Sequence, residues 1–205
     1  MAIGLVSDDG RTAFAHIPKT GGTWLAHVLG MRHRDIPAEA TLYGVLRDPV
    51  EWHLSSYWFF VCHHAGPHPI WWAASDGGRR SADETIRALY DERRATADRA
   101  LRRAARLSLD FLRVVYATPD DILGWRDHGG GLLTYHHERH HAGAAAILRL
   151  ETIVEDLART LPLTPEQCRR IQDTPPINVT TRPRGGDALE PGTVELIRCA
   201  EALPC

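Results

Sequence analysis

The sequence predicts an α/β fold: a central, mainly parallel sheet flanked by helices. Three observations predict it. Short apolar runs that read as buried strands occur at 12–17 (TAFAHI), 42–46 (LYGVL) and 145–150 (AAILRL). Each run is followed by a segment with helical periodicity. Glycines interrupt the first strand at Gly21 and Gly22, as a strand–loop–helix turn requires.

The elements follow in order. After the glycines, Thr23–Met31 reads as a helix with Leu25, Val28 and Leu29 on one side. The second strand ends at RDP, where Asp48 suits a helix cap and Pro49 a first helical turn. Val50, Leu54, Tyr57, Trp58 and Val61 then recur at helical spacing, which leaves His53 on a face expected to be solvated. Residues 62–80 read as an aromatic loop, 81–115 as helix in up to two pieces, and 119–131 as turns. Residues 132–142 suit a short helix. Glu151–Leu161 forms another, stopped by Pro162. Thr164, Pro165 and Gln167 spell a capping box that opens the next helix. A Pro/Gly-rich loop at 173–192 leads to a last helix at 193–203. No repeat and no linker divides the 205 residues, so 1–205 reads as a single domain.

Composition narrows the function. Hydrophobic residues make up 43% and charged residues 24%, with a net charge of -2, so there is no basic excess to attract nucleic acid. The arginines of 79–106 alternate with Asp83, Glu84, Asp91, Glu92 and Asp98, as on a solvated helix face laced with ion pairs. The start, MAIGLVSDDGR, has neither the basic nor the apolar region of a signal peptide. No apolar run approaches the about 20 residues needed to span a bilayer. Cysteines 62, 168, 199 and 205 form no CxxC. A reduced, cytoplasmic protein without membrane partners is the expectation.

The chemistry concentrates at HIPKTGGTW, residues 16–24. Glycines at a helix start offer backbone N–H donors to an anion, and Lys19, Thr20 and Thr23 add a cation and hydroxyls. Lys19 is the only lysine of the chain. It precedes the glycines, whereas the triphosphate loop GxxxxGK[ST] has its lysine after them. Taken alone, the loop fits an anion site or a glycine turn beside a solvated lysine. A second stretch, VLRDPVEWHLSSY (residues 45–57), sets Arg47 at a strand end and Ser55 eight residues on, both suited to phosphate oxygens. Two phosphate sites point to a ligand with phosphates at both ends.

These residues resemble the sulfotransferases that use 3′-phosphoadenosine 5′-phosphosulfate (PAPS). HIPKTGGTW is similar to their 5′-phosphosulfate loop and LRDPVEWHLSSY to their 3′-phosphate motif. LRLETIVEDL resembles their late strand with its acidic-start helix, and INVTTRPRGG their late nucleotide-contacting loop. The resemblance implies a P-loop NTPase-like sulfotransferase fold, with 62–135, the least matched part, as the acceptor-side region. It implies that Lys19 contacts the 5′-phosphate and the leaving oxygen, and that Thr20, Gly21, Gly22 and Thr23 cradle that phosphate. Trp24 would lie near the adenine or pack beneath the loop. Arg47 and Ser55, or Ser56 in its place, would hold the 3′-phosphate, with Arg182 or Arg184 reaching it too. PAPS would be the donor, 3′-phosphoadenosine 5′-phosphate (PAP) the product, and no metal is required.

Sulfuryl transfer also calls for a general base. His33, between the two motifs, is the first choice, with Asp35 and Glu39 as alternatives and His16 as a structural residue. In HHERHH the pairs His136/His140 and His137/His141 have i, i+4 spacing that suits zinc, but no third ligand is evident. His63, His64 and His68 with Trp71 and Trp72 suit either an acceptor-binding wall or a lid or dimer contact. The acceptor expected is a small molecule with a hydroxyl or amine. The alternatives are a P-loop-type kinase, a non-catalytic nucleotide-binding protein of the same fold and, more remotely, a zinc hydrolase. The oligomeric state is not legible.

Overall fold

The computed structural model describes residues 3–63, 68–174 and 188–201. In chain order the elements are β1 (Ile3–Val6), β2 (Thr12–Ala15), α1 (Gly22–Leu29), β3 (Arg32–Asp35), β4 (Thr41–Leu46) and α2 (Pro49–Tyr57). There follow α3 (Pro69–Ala74), α4 (Ala82–Asp91), α5 (Arg93–Ala104), α6 (Leu109–Val114), α7 (Pro119–Asp127) and α8 (Leu132–His140). The chain ends with β5 (Ala146–Arg149), α9 (Ile153–Thr160), α10 (Pro165–Asp173) and α11 (Pro191–Ala200). They group into two compact units: Met1–Asp48 with His137–Val179, and Pro49–His136 with Thr180–Cys205.

The first unit carries a five-stranded sheet, ordered β3-β1-β2-β4-β5. β2, β4 and β5 are parallel neighbours, while β1 runs antiparallel to both β2 and β3. The sheet is therefore mixed, not mainly parallel throughout as expected, because two strands escaped the sequence reading. β1 joins β2 through a tight turn at Ser7–Arg11. Asp9 accepts from the Ser7 hydroxyl and the Arg11 N–H, and Gly10 takes φ +74°. β3 has the sequence RHRD with every residue exposed, so no apolar pattern betrays it. Pairing along β1, from Ile3–Asp35 to Val6–Arg32, makes it a strand.

Register aligns Leu5, Phe14 and Tyr43 across three strands, and Val45 beside Leu148. Side chains directly opposite each other share a face. On that face lies the core of the unit, formed with Trp24, Leu25, Val28 and Leu29 of α1, Ile153 and Leu157 of α9, and Ile171 of α10. Three strands and the helix after each fall where the apolar runs predict. The Thr164 capping box is present, with the Thr164 hydroxyl accepting from the Gln167 N–H.

The second unit is helical. α2 continues into a π-helical turn at Trp58–Cys62. α2 is buried well beyond its predicted stripe: Trp52, His53, Ser55 and Ser56 are buried with Leu54 and Tyr57. The solvated His53 expected from the stripe is thus corrected to a core histidine. Residues 62–80 are not simply a loop, since α3 lies within them and sets Trp71 in the core. Residues 81–115 form three helices, and the turn-rich stretch 119–131 contains α7. Thr118 and Asp121 cap α7 reciprocally, with Pro119 in its first turn. That signal was legible, but its acidic partner is Asp rather than Glu or Gln.

Candidate functional site

The loop 16–21 joins the end of β2 to α1. Its shape comes from a turn in which the Thr20 N–H and hydroxyl both donate to the Ile17 carbonyl, at 3.3 Å and 2.7 Å. Thr20 is buried, so its hydroxyl secures the loop from below. Lys19 takes φ +70°, a left-handed conformation that costs a non-glycine residue energy. Gly21 follows at φ +86° as the residue before α1. A Cβ on Gly21 would stand 2.6 Å from Leu150, so both its conformation and the space demand glycine. Gly21 has no side chain with which to cap α1, and among the described residues no side chain caps the helix start.

Arg47 stands at the end of β4, the strand parallel to β2. It is buried, and its Nη1 donates to the Lys19 carbonyl at 3.3 Å. Burial, and then the charge of Arg47, push the Lys19 ammonium down to about 8. Two cations crowd one loop at the positive end of a helix, an arrangement that an anion relieves. Beyond Arg47, the Asp48 N–H donates to Glu151 Oε1 at 2.8 Å, which fixes the turn that presents the arginine. In the sequence, Glu151 shows only as the acidic start of a helix.

The imidazoles of His16 and His33 meet beside this loop, with Nδ1 of His16 2.8 Å from Nε2 of His33. The His16 ring lies on Gly22, where a Cβ would stand 2.0 Å from its Nε2. Burial, and then His33 and Lys19, push His16 down to about 3. Burial lowers His33 as well. His33 is exposed on β3, and its bond to His16 occupies Nε2, so Nδ1 lies outside that bond. His16, set aside as structural in the sequence reading, is therefore a direct partner of the chosen base. A histidine two residues beyond Phe14 shares its strand parity, and that was the available signal.

The remaining predicted residues divide. Gly22 opens α1, Thr23 is exposed in its first turn, and Asp35 ends β3. Trp24 belongs to the core, and its indole N–H donates to the Thr174 carbonyl at 2.7 Å, just beyond α10. Ser55 and Ser56 are buried in α2, in the second unit. Arg182 and Arg184 lie outside the described residues, as does His64. His68 is buried against the Val115 carbonyl, and burial pushes it down to about 4, which with the buried Trp71 removes the core of the proposed aromatic wall. His137 and His141 pair through their Nδ1 atoms at 2.8 Å, and His141 reaches the Ala15 carbonyl through Nε2 at 3.3 Å. No group of three or more histidine, cysteine or carboxylate side chains suited to a metal occurs among the described residues. Among them, too, no helix is long and apolar enough to cross a membrane.

Comparison with family models, with curated proteins and with solved structures finds no match to this chain.

Proposed function

We propose that the chain is a sulfotransferase that moves the sulfuryl group of PAPS to a hydroxyl or amine of a small acceptor, on a P-loop-type fold. The observation that carries this reading is the convergence of Lys19 and the buried Arg47 on the loop at the glycine start of α1, with an exposed imidazole beside it. The residues fit such a donor. A depressed lysine regains its ordinary basicity beside a phosphate, and bare helix amides need acceptors.

PAPS supplies the activated sulfuryl group. Lys19 and the amides of Gly21–Thr23 hold the negative charge that grows on the departing phosphate oxygen; such pre-set donors act most strongly in the transition state. His33 takes the acceptor proton at Nδ1, a task suited to a neutral imidazole, the form that desolvation favours here. Arg47 binds the 3′-phosphate, and the role of Ser55 rests on the sequence motif alone. Location in the cytoplasm belongs to the same proposal.

Calorimetric titration with PAP, against adenosine monophosphate and ATP·Mg²⁺, tests the reading. PAP should bind in preference to both. Arg47→Ala should weaken PAP binding by about 10- to 100-fold, the loss of one charge-assisted contact, and weaken adenosine monophosphate binding less, through the lost bond to the Lys19 carbonyl alone. A preference for ATP·Mg²⁺ would replace the sulfotransferase with a kinase. Wild-type PAP affinity in the Arg47 variant would remove Arg47 from the site.

A further inference from the structure

We propose that His16 couples anion binding on the loop to the tautomer of His33, so that His33 presents a proton-accepting nitrogen when a phosphate ester occupies the start of α1. The catalytic consequence rests on the sulfotransferase reading; the coupling itself does not.

The two rings share one hydrogen bond, between Nδ1 of His16 and Nε2 of His33. Two neutral imidazoles can make that bond in two ways, and the choice sets the outer nitrogen of each ring. If His16 donates from Nδ1, its Nε2 carries a lone pair and His33 carries its proton outward on Nδ1. If His33 donates from Nε2, His16 carries its proton on Nε2 and His33 turns a lone pair outward on Nδ1. Exchange between the two moves one proton within each ring and changes no net charge.

The surroundings of His16 Nε2 decide between them. That edge of the ring lies against Gly22, in the first turn of α1. The positive end of the helix dipole favours a lone pair there when no anion is present. His33 then offers Nδ1–H, which cannot accept a proton. An anion at the start of α1 reverses the local field and draws the His16 proton to Nε2. His33 then turns its lone pair outward. Gly22 makes the arrangement possible, because any Cβ there would occupy the volume of the His16 ring.

Long-range proton–nitrogen NMR correlation on histidine-labelled protein reads each tautomer directly. His16→Gln and His33→Gln assign the two rings among the 12 histidines. Spectra are compared without ligand, with PAP and with inorganic phosphate. His33 Nδ1 should pass from pyrrole-type without ligand to pyridine-type with anion. The change should be lost in His16→Leu, and also in Gly22→Ala, which displaces the ring while keeping both histidines. Circular dichroism checks that each variant folds. A shift with inorganic phosphate but no PAP binding would end the sulfotransferase reading and leave the coupling standing. An unchanged His33 tautomer with both anions, or an equal change in a folded His16→Leu, would overturn the coupling.

Discussion

Lys19 combines three properties in one residue: the only lysine, a left-handed backbone and a lowered basicity. The first was legible in the sequence. The second was not, because the neighbouring glycines looked sufficient for the turn. Lys19→Ala should lower kcat by about 10²- to 10³-fold, as loss of one transition-state donor does. It keeps the strained backbone, whereas Lys19→Gly relieves it. In thermal unfolding, the glycine variant should be more stable than the alanine variant by about 1 kcal/mol. Proton linkage gives a second test. Lys19 sits at about 8 in the free protein, and a bound anion raises it. Binding PAP near and just above pH 8 should therefore take up a proton, and affinity should fall as pH rises through that range. Titrations in buffers of different ionisation enthalpy measure the uptake.

At the scale of elements, the sequence was clearest where apolar alternation and caps coincide. β2 and β4 are short strands that bury small or apolar residues, and α10 announces itself through Thr164, Pro165 and Gln167; β5, read from AAILRL as buried, lies at the sheet edge and buries only Leu148. Thr164→Ala should cost about 1 kcal/mol in denaturant unfolding, the usual loss of a helix cap. β3 was hidden because an edge strand of RHRD carries no pattern, and its partner β1 alone makes it extended. That omission bears on the site. His33 was chosen for its position between two motifs, but only strand pairing sets it in register with Leu5 and within reach of His16. α2 shows the opposite error: a single apolar stripe was visible, while His53 and two serines are buried as well.

On the scale of the whole molecule, the chain comprises two compact units, and the second has its own buried polar centre. Glu201 receives the Leu133 and Thr134 N–H groups at the start of α8, the Thr134 hydroxyl and the Tyr90 hydroxyl. His53 Nε2 lies 2.9 Å from the same carboxylate. Burial pushes the Glu201 carboxyl up, but the His53 bond and charge and the Thr134 donors outweigh it and hold the group below the usual range. Burial, and then the charge of Glu201, push the Tyr90 phenol well up. Glu201→Ala leaves these donors without their acceptor and should cost about 3–5 kcal/mol, the scale of breaking a buried pair. For a depressed carboxyl, the stabilisation is complete above about pH 4.3 and is lost as pH falls through the folded value. The wild type should therefore lose more stability below pH 4 than Glu201→Gln, as read by unfolding across pH.

The sequence by itself determined the α/β class, three of the five strands, the loop with its lysine and glycines, and Arg47 at a strand end. These are local properties: apolar period, backbone permissiveness and residue chemistry are written within a few neighbours. Tertiary structure decided the mixed sheet, the burial of His53, the Glu151 contact that steadies the Asp48 turn, and the meeting of His16 with His33. Those depend on which distant segments come together. The Asp48–Glu151 contact spans 103 positions and the His16–His33 contact 17, and no local pattern encodes such pairings.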